Sequence, residues 1–275
     1  MKQEKEQVKT RKKLKFKFKI ILSIIFIVLY ALFIGTKGIF IKDIIVKSKN
    51  INNDLNGVKI VQFSDLHYNS RIGKKEVKSL IKKINISKPD IVIFTGDLID
   101  EDYDITKKEI EFLKKQFSLI NAEYGKYYIP GEEDFDTAKL VLNNSDFINL
   151  TNGDQTIYFN KSEVLLIDKD NSENYFKNEN NKPTYKILAI HNPDDFNALK
   201  DYNFDLALAG HTHNGQINIP KLKNLLIDSN YKETYKKINN TKLYINPGIG
   251  NSKINARLFN HPTIYLYRLK STSNS

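Results

Sequence analysis

The sequence predicts an α/β domain of mixed sheets covered by helices, preceded by one membrane-spanning helix. Two patterns in the 275 residues indicate this. From Val58 onward, apolar runs of five or six residues alternate with amphipathic stretches, and near the N-terminus a longer apolar run follows a basic tail. Short runs that are rich in β-branched residues and end in turn residues are typical of buried strands, whereas apolar residues spaced three and four apart are typical of helices. Alternating strands and helices form layered α/β domains.

The N-terminal segment predicts a membrane anchor. Residues 1–19 carry nine Lys or Arg against two Glu, a charge of +7 out of +11 for the whole chain. As a helix, the apolar run Ile20–Gly35 spans about 24 Å. Extending it to Ile41, with Lys37 reaching the interface, gives about 33 Å, enough for a hydrocarbon core of about 30 Å. We therefore predict a basic tail over 1–19 and a transmembrane anchor over 20–41.

The charge of the tail sets the expected orientation. No small-residue cleavage site follows the apolar run, so the anchor is expected to stay uncleaved. Basic residues favour the cytoplasmic side, which places the tail inside and the domain outside the cytoplasm. A basic tail can also bind nucleic acid, but this one leads directly into a membrane span. The expected partner is therefore the lipid bilayer and not a nucleic acid, while the oligomeric state stays open.

After the anchor, the elements are predicted in chain order. A polar, Asn-rich linker covers 42–56, the domain covers 57–270 and a short tail covers 271–275. Five buried strands are predicted, with the sequences VKIVQF, DIVIFT, KYYIP, YKILAI and FDLALA. Helices are predicted over residues 74–84, 106–117 and 134–144. The remaining segments indicate a small β-meander over 148–167, a polar surface loop over 168–183, and two late strands, KLYIN and TIYLYRL.

Each of the five strands ends in a polar cluster. The carboxyl ends of strands in an open α/β sheet line the ligand crevice, and four of the five histidines lie there, whereas His261 is interpreted as a turn residue. The clusters follow the strands in this order: Asp65 and His67; Asp97 and Asp100; Glu132, Glu133 and Asp134; His191 and Asp194; His211 and His213. A single Asp-x-His pair is more often hydrogen-bonded structure, and an acidic run after a glycine is more often an exposed loop tip. Five clusters on five strand ends favour a site.

The residue types in these clusters are typical of a metal site. The chain has no cysteine, so carboxylates and imidazoles remain as ligands, and these suit Mn²⁺, Fe or Zn²⁺. In an extended segment the side chains of residues i and i+2 point to the same side. Asp65 and His67 are therefore expected to share one side of the chain, and so are His211 and His213. Seven candidate ligands are too many for one four-coordinate ion. They suit two ions that share a carboxylate, with Asp97 as the expected bridge.

The order of the clusters resembles the calcineurin-like metallophosphoesterases, whose pattern is D-x-H, G-D-x-x-D, G-N-H-[DE], a single His and then G-H-x-H. Here the same positions read DLH at 65–67, GDLID at 96–100, GEED at 131–134, His191 and GHTH at 210–213. The surrounding sequence is similar to the membrane-anchored bacterial branch that includes enzymes acting on UDP-2,3-diacylglucosamine. This resemblance implies a four-layer α/β/β/α sandwich of two mixed sheets flanked by helices.

The resemblance also implies how two divalent metal ions are bound. One ion would be held by Asp65, His67, Asp97 and His213. The other would be held by Asp97, Glu132, His191 and His211. A hydroxide that bridges the two ions would attack phosphorus in line.

Two residues of GEED depart from the family pattern. Glu132 replaces the Asn ligand and can still bind a metal, whereas Glu133 replaces the His that assists the leaving group. Asp134 matches the acidic residue that orients that His. Metal cations favour the anion of a carboxylate, so Glu133 is expected to be a poorer proton donor, and loss of a general acid costs typically about 10²–10⁴-fold. Glu133 and Asp134 are the candidate catalytic residues.

The sequence leaves three functions open. The first is a membrane-anchored dinuclear phosphoesterase that hydrolyses a phosphodiester or pyrophosphate, with lipid-linked esters favoured because the anchor confines the domain to a membrane. The second is a homologue with impaired or no catalysis, which binds metal and acts as a binding module in the cell envelope. Hydrolysis at a single zinc ion is disfavoured because the chain has no H-x-H-x-D-H run.

Overall fold

The computed structural model describes residues 2–69, 71–134, 136–177, 185–251 and 254–272, and within them lie seven α-helices and twelve strands. The helices are α1 Lys2–Phe33, α2 Lys74–Ile86, α3 Lys107–Ser118, α4 Asp136–Asn143, α5 Lys169–Lys177, α6 Phe196–Leu199 and α7 Leu222–Leu226. The strands are β1 Phe40–Ser48, β2 Lys59–Phe63, β3 Ile91–Phe94, β4 Lys126–Tyr128, β5 Phe147–Asn149, β6 Gln155–Phe159, β7 Ser162–Ile167, β8 Tyr185–Ala189, β9 Leu206–Ala209, β10 Tyr235–Ile238, β11 Thr241–Ile245 and β12 Thr263–Ser271.

The strands form two mixed sheets of six strands each. The first has the order β1-β12-β2-β3-β4-β5, in which β12 and β2 are antiparallel and the other neighbours are parallel. The second has the order β10-β11-β9-β8-β7-β6, with parallel pairs from β11 to β7 and an antiparallel strand at each edge. The five predicted buried strands are confirmed as β2, β3, β4, β8 and β9, and each has a parallel neighbour.

Side chains that alternate along the strands build three apolar layers. In β2, Val61 packs in the cluster that includes α2 and α3, whereas Ile60 packs in the cluster between the two sheets. In β9, Leu208 faces the space between the sheets, whereas Ala207 packs with Phe196 of α6 on the outer face. This alternation has the period of two that a strand imposes on its side chains. The predicted α/β/β/α sandwich is confirmed.

Helix α1 is long and apolar enough to span a membrane. Its segment Arg11–Phe33 has 23 residues, about 35 Å at 1.5 Å per residue, and almost none of it is buried against the rest of the protein. The helix ends at Phe33, earlier than the predicted Ile41. Gly35 N donates to Tyr30 O at 2.8 Å, a six-to-one contact typical of a helix end, and the chain then turns into β1.

Strand β1 replaces the first half of the linker predicted over 42–56. It pairs in parallel with β12 over nine residues and lies at the edge of the first sheet. Val46 is its one buried residue, so its sequence lacks the apolar pattern that identifies an inner strand. The folded domain therefore begins at Phe40. At the other end, β12 reaches Ser271, one residue into the predicted tail.

Two further segments differ from the prediction. The predicted loop 168–183 contains helix α5, and its remainder from residue 178 lies outside the described residues. The buried Asp168 precedes this helix and caps its N-terminus, because its carboxylate accepts a hydrogen bond from Asn171 N at 3.0 Å. The predicted β-meander over 148–167 is divided between the sheets. Strand β5 joins the first sheet, whereas the hairpin of β6 and β7 joins the second.

Candidate metal centre

Both sheets bring polar side chains to one edge, at the carboxyl ends of their parallel strands. In the first sheet these residues are Asp65 and His67 after β2, Asp97 after β3, and Glu132 and Glu133 after β4. In the second sheet they are His191 after β8, and His211 and His213 after β9. All seven predicted metal ligands, together with Glu133, belong to groups whose potential ligand atoms lie within 4.8 Å of one another.

The ligand atoms form two groups joined by Asp97. One group consists of Asp65, His67 and His213, and the other of Glu132, His191 and His211. Oδ2 of Asp97 is 3.1 Å from Nε2 of His191 and 3.8 Å from Nε2 of His67. One carboxylate therefore contacts a member of each group, which is the position that a bridging ligand takes.

The distances within the groups fit residues that share a metal ion. Two ligand atoms on one ion, each about 2.1 Å from it, lie about 3.0 to 3.4 Å apart. Nε2 of His67 and Nε2 of His213 are 3.0 Å apart, and Nδ1 of His211 is 3.2 Å from Oε1 of Glu132. Among the residues that the structure describes, the buried Oδ2 of Asp65 and Nδ1 of His213 have no hydrogen-bond partner. The donor set and its spacing therefore fit divalent cations.

Left-handed backbone directs five of the seven ligands. The φ angle is +50° at Asp65, +42° at His67, +59° at Asp97, +69° at His211 and +48° at His213. Residues other than glycine adopt this region rarely, at a cost of about 1–3 kcal/mol each, and such strain clusters at functional sites. The side chains thus converge through tight turns directly after the strands. From the sequence, the shared direction of these side chains is attributed to the alternation of residues in an extended segment. That explanation is wrong, because the backbone at these residues is left-handed and not extended.

Burial and neighbouring charges shift the protonation of the ligands. Burial raises the pKa of Asp65, and burial together with positive neighbours lowers the pKa of His213 well below its usual value. Burial alone would lower the pKa of His191, but the close contact and charge of Asp97 outweigh it and raise that pKa to about 10. Buried carboxylates are costly unless cations compensate them, and a divalent metal supplies that charge.

Hydrogen bonds from outside the cluster orient two ligand rings. Nδ1 of His191 donates to the carbonyl oxygen of Thr95 at 2.7 Å, so its Nε2 is the nitrogen presented to the cluster. Nδ1 of His67 donates to Oε2 of Glu133 at 2.8 Å, so its Nε2 faces His213. Outer partners of this kind fix the tautomer and the orientation of a metal-binding histidine.

Comparison with known proteins identifies the family. The profile of the calcineurin-like phosphoesterase family matches residues 58–215, more than half of the chain. The metallophosphoesterase YkuE of Bacillus subtilis (strain 168) is 32% identical over 246 residues, which cover 83% of this chain and 84% of that protein. This chain belongs to the calcineurin-like phosphoesterase family. The resemblance stated from the sequence motifs is confirmed.

Two further relatives have descriptive names. The UDP-2,3-diacylglucosamine pyrophosphatase LpxG of Chlamydia muridarum (strain MoPn / Nigg) is 26% identical over 285 residues, covering 78% of this chain and 84% of that protein. A transmembrane protein with a metallophosphoesterase domain from Danio rerio is 23% identical over 231 residues, covering 76% of this chain and 52% of that protein. Together with α1, these relatives indicate a single-pass membrane protein of the calcineurin-like phosphoesterase family.

The GEED turn of this phosphoesterase positions its second acid against a ligand ring. Besides accepting from His67, Oε2 of Glu133 accepts from Glu101 N at 3.2 Å. The backbone N of Glu133 donates to Oδ1 of Asp97 at 3.0 Å. Glu133 therefore touches one ligand through its side chain and the joining ligand through its backbone. These contacts are those of a positioning residue, while the predicted role of Glu133 in catalysis stays a prediction.

Asp134 fixes the turn from the buried side. Its Oδ1 accepts from Leu98 N at 2.7 Å, and its Oδ2 accepts from Asp97 N at 2.8 Å and Gly131 N at 2.9 Å. Three backbone donors stabilise its carboxylate, although burial raises its pKa. Asp134 is predicted as a catalytic partner of residue 133, and that role stays a prediction. Its contacts make it a clamp between the turn after β3 and the GEED turn.

Arg257 is a supporting residue that sequence reasoning missed. Its guanidinium is fully buried, and burial lowers its pKa to about 10. It donates to Pro247 O at 3.0 Å, to Gly250 O and to Oδ1 of Asn251 at 2.8 Å. These bonds hold residues 247–251 against the ligand cluster. The partners are mostly backbone carbonyls, which leave no motif in a sequence.

The loop held by Arg257 makes close contact with two ligands at Gly248. The φ angle there is +75°, and a Cβ would lie 2.9 Å from Cβ of Asp65 and 3.1 Å from Nδ1 of His213. Glycine is therefore required both by conformation and by space. From the next loop, Nδ2 of Asn260 donates to the carbonyl oxygen of His213 at 2.6 Å.

Two cavities border the ligand cluster. The smaller one, of ≈ 280 Å³, adjoins His67 and His213, and its apolar wall is formed by Ile217, Leu226, Ile227 and Ile254. The larger one, of ≈ 380 Å³, adjoins Glu132 and His191, and its polar wall includes Asp168, Lys169, Asn192 and Asp195. The ligands therefore lie between two cavities, each lined by both polar and apolar residues.

Proposed function

We propose that this chain is a membrane-anchored phosphoesterase that binds two divalent metal ions and hydrolyses a phosphodiester or pyrophosphate, with lipid-linked esters as the substrate class. The observation that carries the proposal is the pair of ligand groups joined by Asp97. A carboxylate shared between two sets of ligands is typical of a two-ion hydrolytic site. The imidazole and carboxylate donors favour Mn, Fe or Zn as the metal.

The residues of this chain supply the remaining requirements of such a reaction. Divalent ions held by these residues would polarise phosphoryl oxygens and lower the pKa of a bound water molecule. The contacts of Glu133 and Thr95 hold His67 and His191 with Nε2 toward the centre. Asp134 holds the turn that carries Asp97. The two cavities provide space for the groups on either side of a phosphorus atom at the centre.

The anchor and the apolar wall of the smaller cavity support a lipid-linked substrate. Helix α1 confines the domain to a membrane surface, where lipid-linked esters are concentrated. The wall of Ile217, Leu226 and Ile254 offers apolar surface beside the ligands. The relative LpxG is named as a pyrophosphatase of UDP-2,3-diacylglucosamine, a lipid-linked pyrophosphate.

The positive charge of the tail supports one orientation of the anchor. By the positive-inside rule residues 1–19 lie in the cytoplasm and the domain lies on the outer face. Protease added to intact cells or protoplasts should then remove the domain. Digestion only after lysis would reverse the orientation.

Substitution of Asp97 tests the proposal directly. Asp97→Asn removes the charge that both ligand groups share, so we expect lower metal content and no hydrolysis of an activated phosphodiester. The matched control is Asp90→Asn, which makes the same change at the residue that precedes β3. Oδ2 of Asp90 accepts a hydrogen bond from Lys59 N at 2.7 Å and, within the described part of the chain, contacts no predicted ligand. The control variant should retain the metal content and the activity of the wild type. Full activity of chelator-treated wild type, or of Asp97→Asn, would contradict the proposal.

A second function is favoured by one observation. The side chain at the leaving-group position of the family pattern is a carboxylate, Glu133, that already bonds to His67. This favours a metal-binding homologue with impaired turnover, which would act as a binding module of the cell envelope. Two ions per chain with no turnover on any phosphoester tested would select this alternative over the enzyme.

A further inference from the structure

An exposed apolar surface lies beside the smaller cavity. It is formed by Ile219, Leu222, Leu225 and Phe259, which we call the apolar rim. Leu225 is 83% exposed and Phe259 is 67% exposed, and every residue of α7 lies at the surface. Leu226 of the same helix lines the cavity, so the rim and the cavity wall are continuous. Contiguous apolar side chains in this position mark an interaction surface.

The exposure of Phe259 is built into the fold. Its φ angle is +54°, in the left-handed region that bulky residues rarely adopt. Its neighbours Leu258 and Asn260 are both 6% exposed, so the loop around it is packed. The backbone at Phe259 is thus strained although the Phe259 ring is exposed. A side chain that served the core would not need this arrangement.

The rim is connected to the end of the membrane helix. Arg257 N donates to Ala31 O at 2.9 Å, and Ala31 packs in one apolar cluster with Leu258. Leu258 in turn pairs with Ile217. Helix α7 begins five residues after Ile217. The rim is therefore linked to the end of α1 through a few residues that contact one another.

A second contact shows which edge of the domain faces the anchor. Nζ of Lys37 lies 3.6 Å from Oε1 of Glu76, which is in the first turn of α2. Helix α2 follows β2 and begins at the edge where the ligands lie, and Ile86 ends it about 18 Å away along its axis. Both contacts, one with the last turn of α1 and one with the segment after it, thus lie on the ligand-bearing edge.

Basic residues accompany the rim. Lys221 precedes α7 and Lys223 lies within it, so two lysines accompany the three leucines of 221–226. Short helices with exposed leucines and lysines are typical of segments that lie in the interface of anionic membranes.

We infer that the apolar rim lies in the surface of the membrane that α1 spans. The rim is thus a second membrane contact, and the smaller cavity opens toward lipid. This contact fixes the domain with its ligand-bearing edge against the bilayer. One consequence, which rests on the proposed function, is that a lipid-borne ester reaches the ligands without leaving the membrane.

Fluorescent labelling of the full chain in lipid nanodiscs tests the contact without any need for activity. The chain has no cysteine, so Leu225→Cys carries a single environment-sensitive nitrobenzoxadiazole label. The matched control is Ile86→Cys, also an exposed apolar position (62%) but at the opposite edge. We expect the label at 225 to shift to shorter wavelength and to be quenched by lipids brominated on the acyl chain. The label at 86 should be quenched by aqueous iodide instead.

Two results would overturn the inference. One is equal behaviour of the two labels, with quenching by iodide and not by brominated lipid. The other is a shift at 225 that depends on protein density and not on lipid, which would assign the rim to a second copy of the chain. Because both substitutions replace exposed side chains, retained metal content is sufficient to show that the fold is intact.

A kinetic comparison separates this inference from the proposed function. Leu222→Ser with Leu225→Ser should leave the hydrolysis of soluble bis(p-nitrophenyl) phosphate unchanged. It should lower hydrolysis of a diacylglycerol p-nitrophenyl phosphodiester in vesicles by about tenfold, because two apolar side chains no longer enter the interface. An equal effect on both esters would overturn the inference. If the wild type hydrolyses neither ester, the proposed function fails while the labelling result still decides the contact.

Discussion

Glu133→Ala separates a positioning role for Glu133 from a catalytic one. The substitution removes the carboxylate that accepts from Nδ1 of His67 at 2.8 Å. His67 is buried and the Glu133 side chain is only 16% exposed, so solvent screens this contact weakly. A hydrogen bond to a charged group contributes about 1.5–3 kcal/mol, which corresponds to about 10–150-fold in an equilibrium constant. Loss of the outer partner of a metal-binding histidine typically costs about 10–100-fold in metal affinity.

We therefore expect Glu133→Ala to weaken Mn²⁺ binding by about 10–100-fold while turnover at saturating Mn²⁺ changes much less. The assay is a Mn²⁺ titration of the full chain, followed by kcat at each level of occupancy. Glu133→Gln keeps an oxygen that can accept from His67 and should give an intermediate affinity. The control Glu101→Ala removes a neighbouring exposed acid without touching a ligand ring. Unchanged affinity with a collapse of kcat at full occupancy would refute the positioning role.

Three further outcomes are expected. The double change Glu132→Asn with Glu133→His restores the family pattern and should raise turnover on a phosphodiester with a poor leaving group by about 10–10³-fold, with much less effect on an aryl ester; two bound metals with no turnover on either ester would contradict it. Arg257→Met leaves several buried acceptors unsatisfied and should lower the free energy of unfolding by about 3–5 kcal/mol in denaturant titration. The control Arg268→Met breaks an exposed ion pair with Asp43 and should change it by less than about 1 kcal/mol, so equal effects would refute this account of Arg257. Because the pKa of His191 is raised to about 10, its ring carries a proton near neutral pH that a metal must displace. Metal binding should then release protons and weaken as pH falls, and calorimetry in two buffers of different ionisation enthalpy would show whether it does.

Inner strands could be predicted from the sequence because burial on both faces produces continuous apolar runs. β3 and β9 are buried throughout, β2 is buried from Ile60 to Phe63, and their sequences show it. β1 was missed because an edge strand with solvent on most of its surface carries no such run. α5 could not be predicted because a polar helix depends on its N-terminal cap, and Asp168 supplies a cap that composition does not reveal.

The ligands could be predicted because each follows a strand that the pattern identifies. The position of Asp65 at the end of β2 is enough to place it at the sheet edge. Its backbone conformation could not be predicted, since a left-handed aspartate is imposed by the turns around it and not by its own preference. Arg257 could not be predicted either, because it acts through backbone carbonyls of a loop that has no periodic pattern.

Arg257 also connects the two parts of the molecule that the sequence presents as separate. Its backbone N donates to Ala31 O near the end of the membrane helix, while its guanidinium holds the loop that places Gly248 against Asp65 and His213. A chain shortened to begin at Phe40 would keep β1 and the whole sandwich. It would leave Arg257 N without its acceptor on α1, at a residue whose side chain supports the ligand cluster. The end of α1 is therefore bonded directly to the residue whose guanidinium supports the ligand cluster.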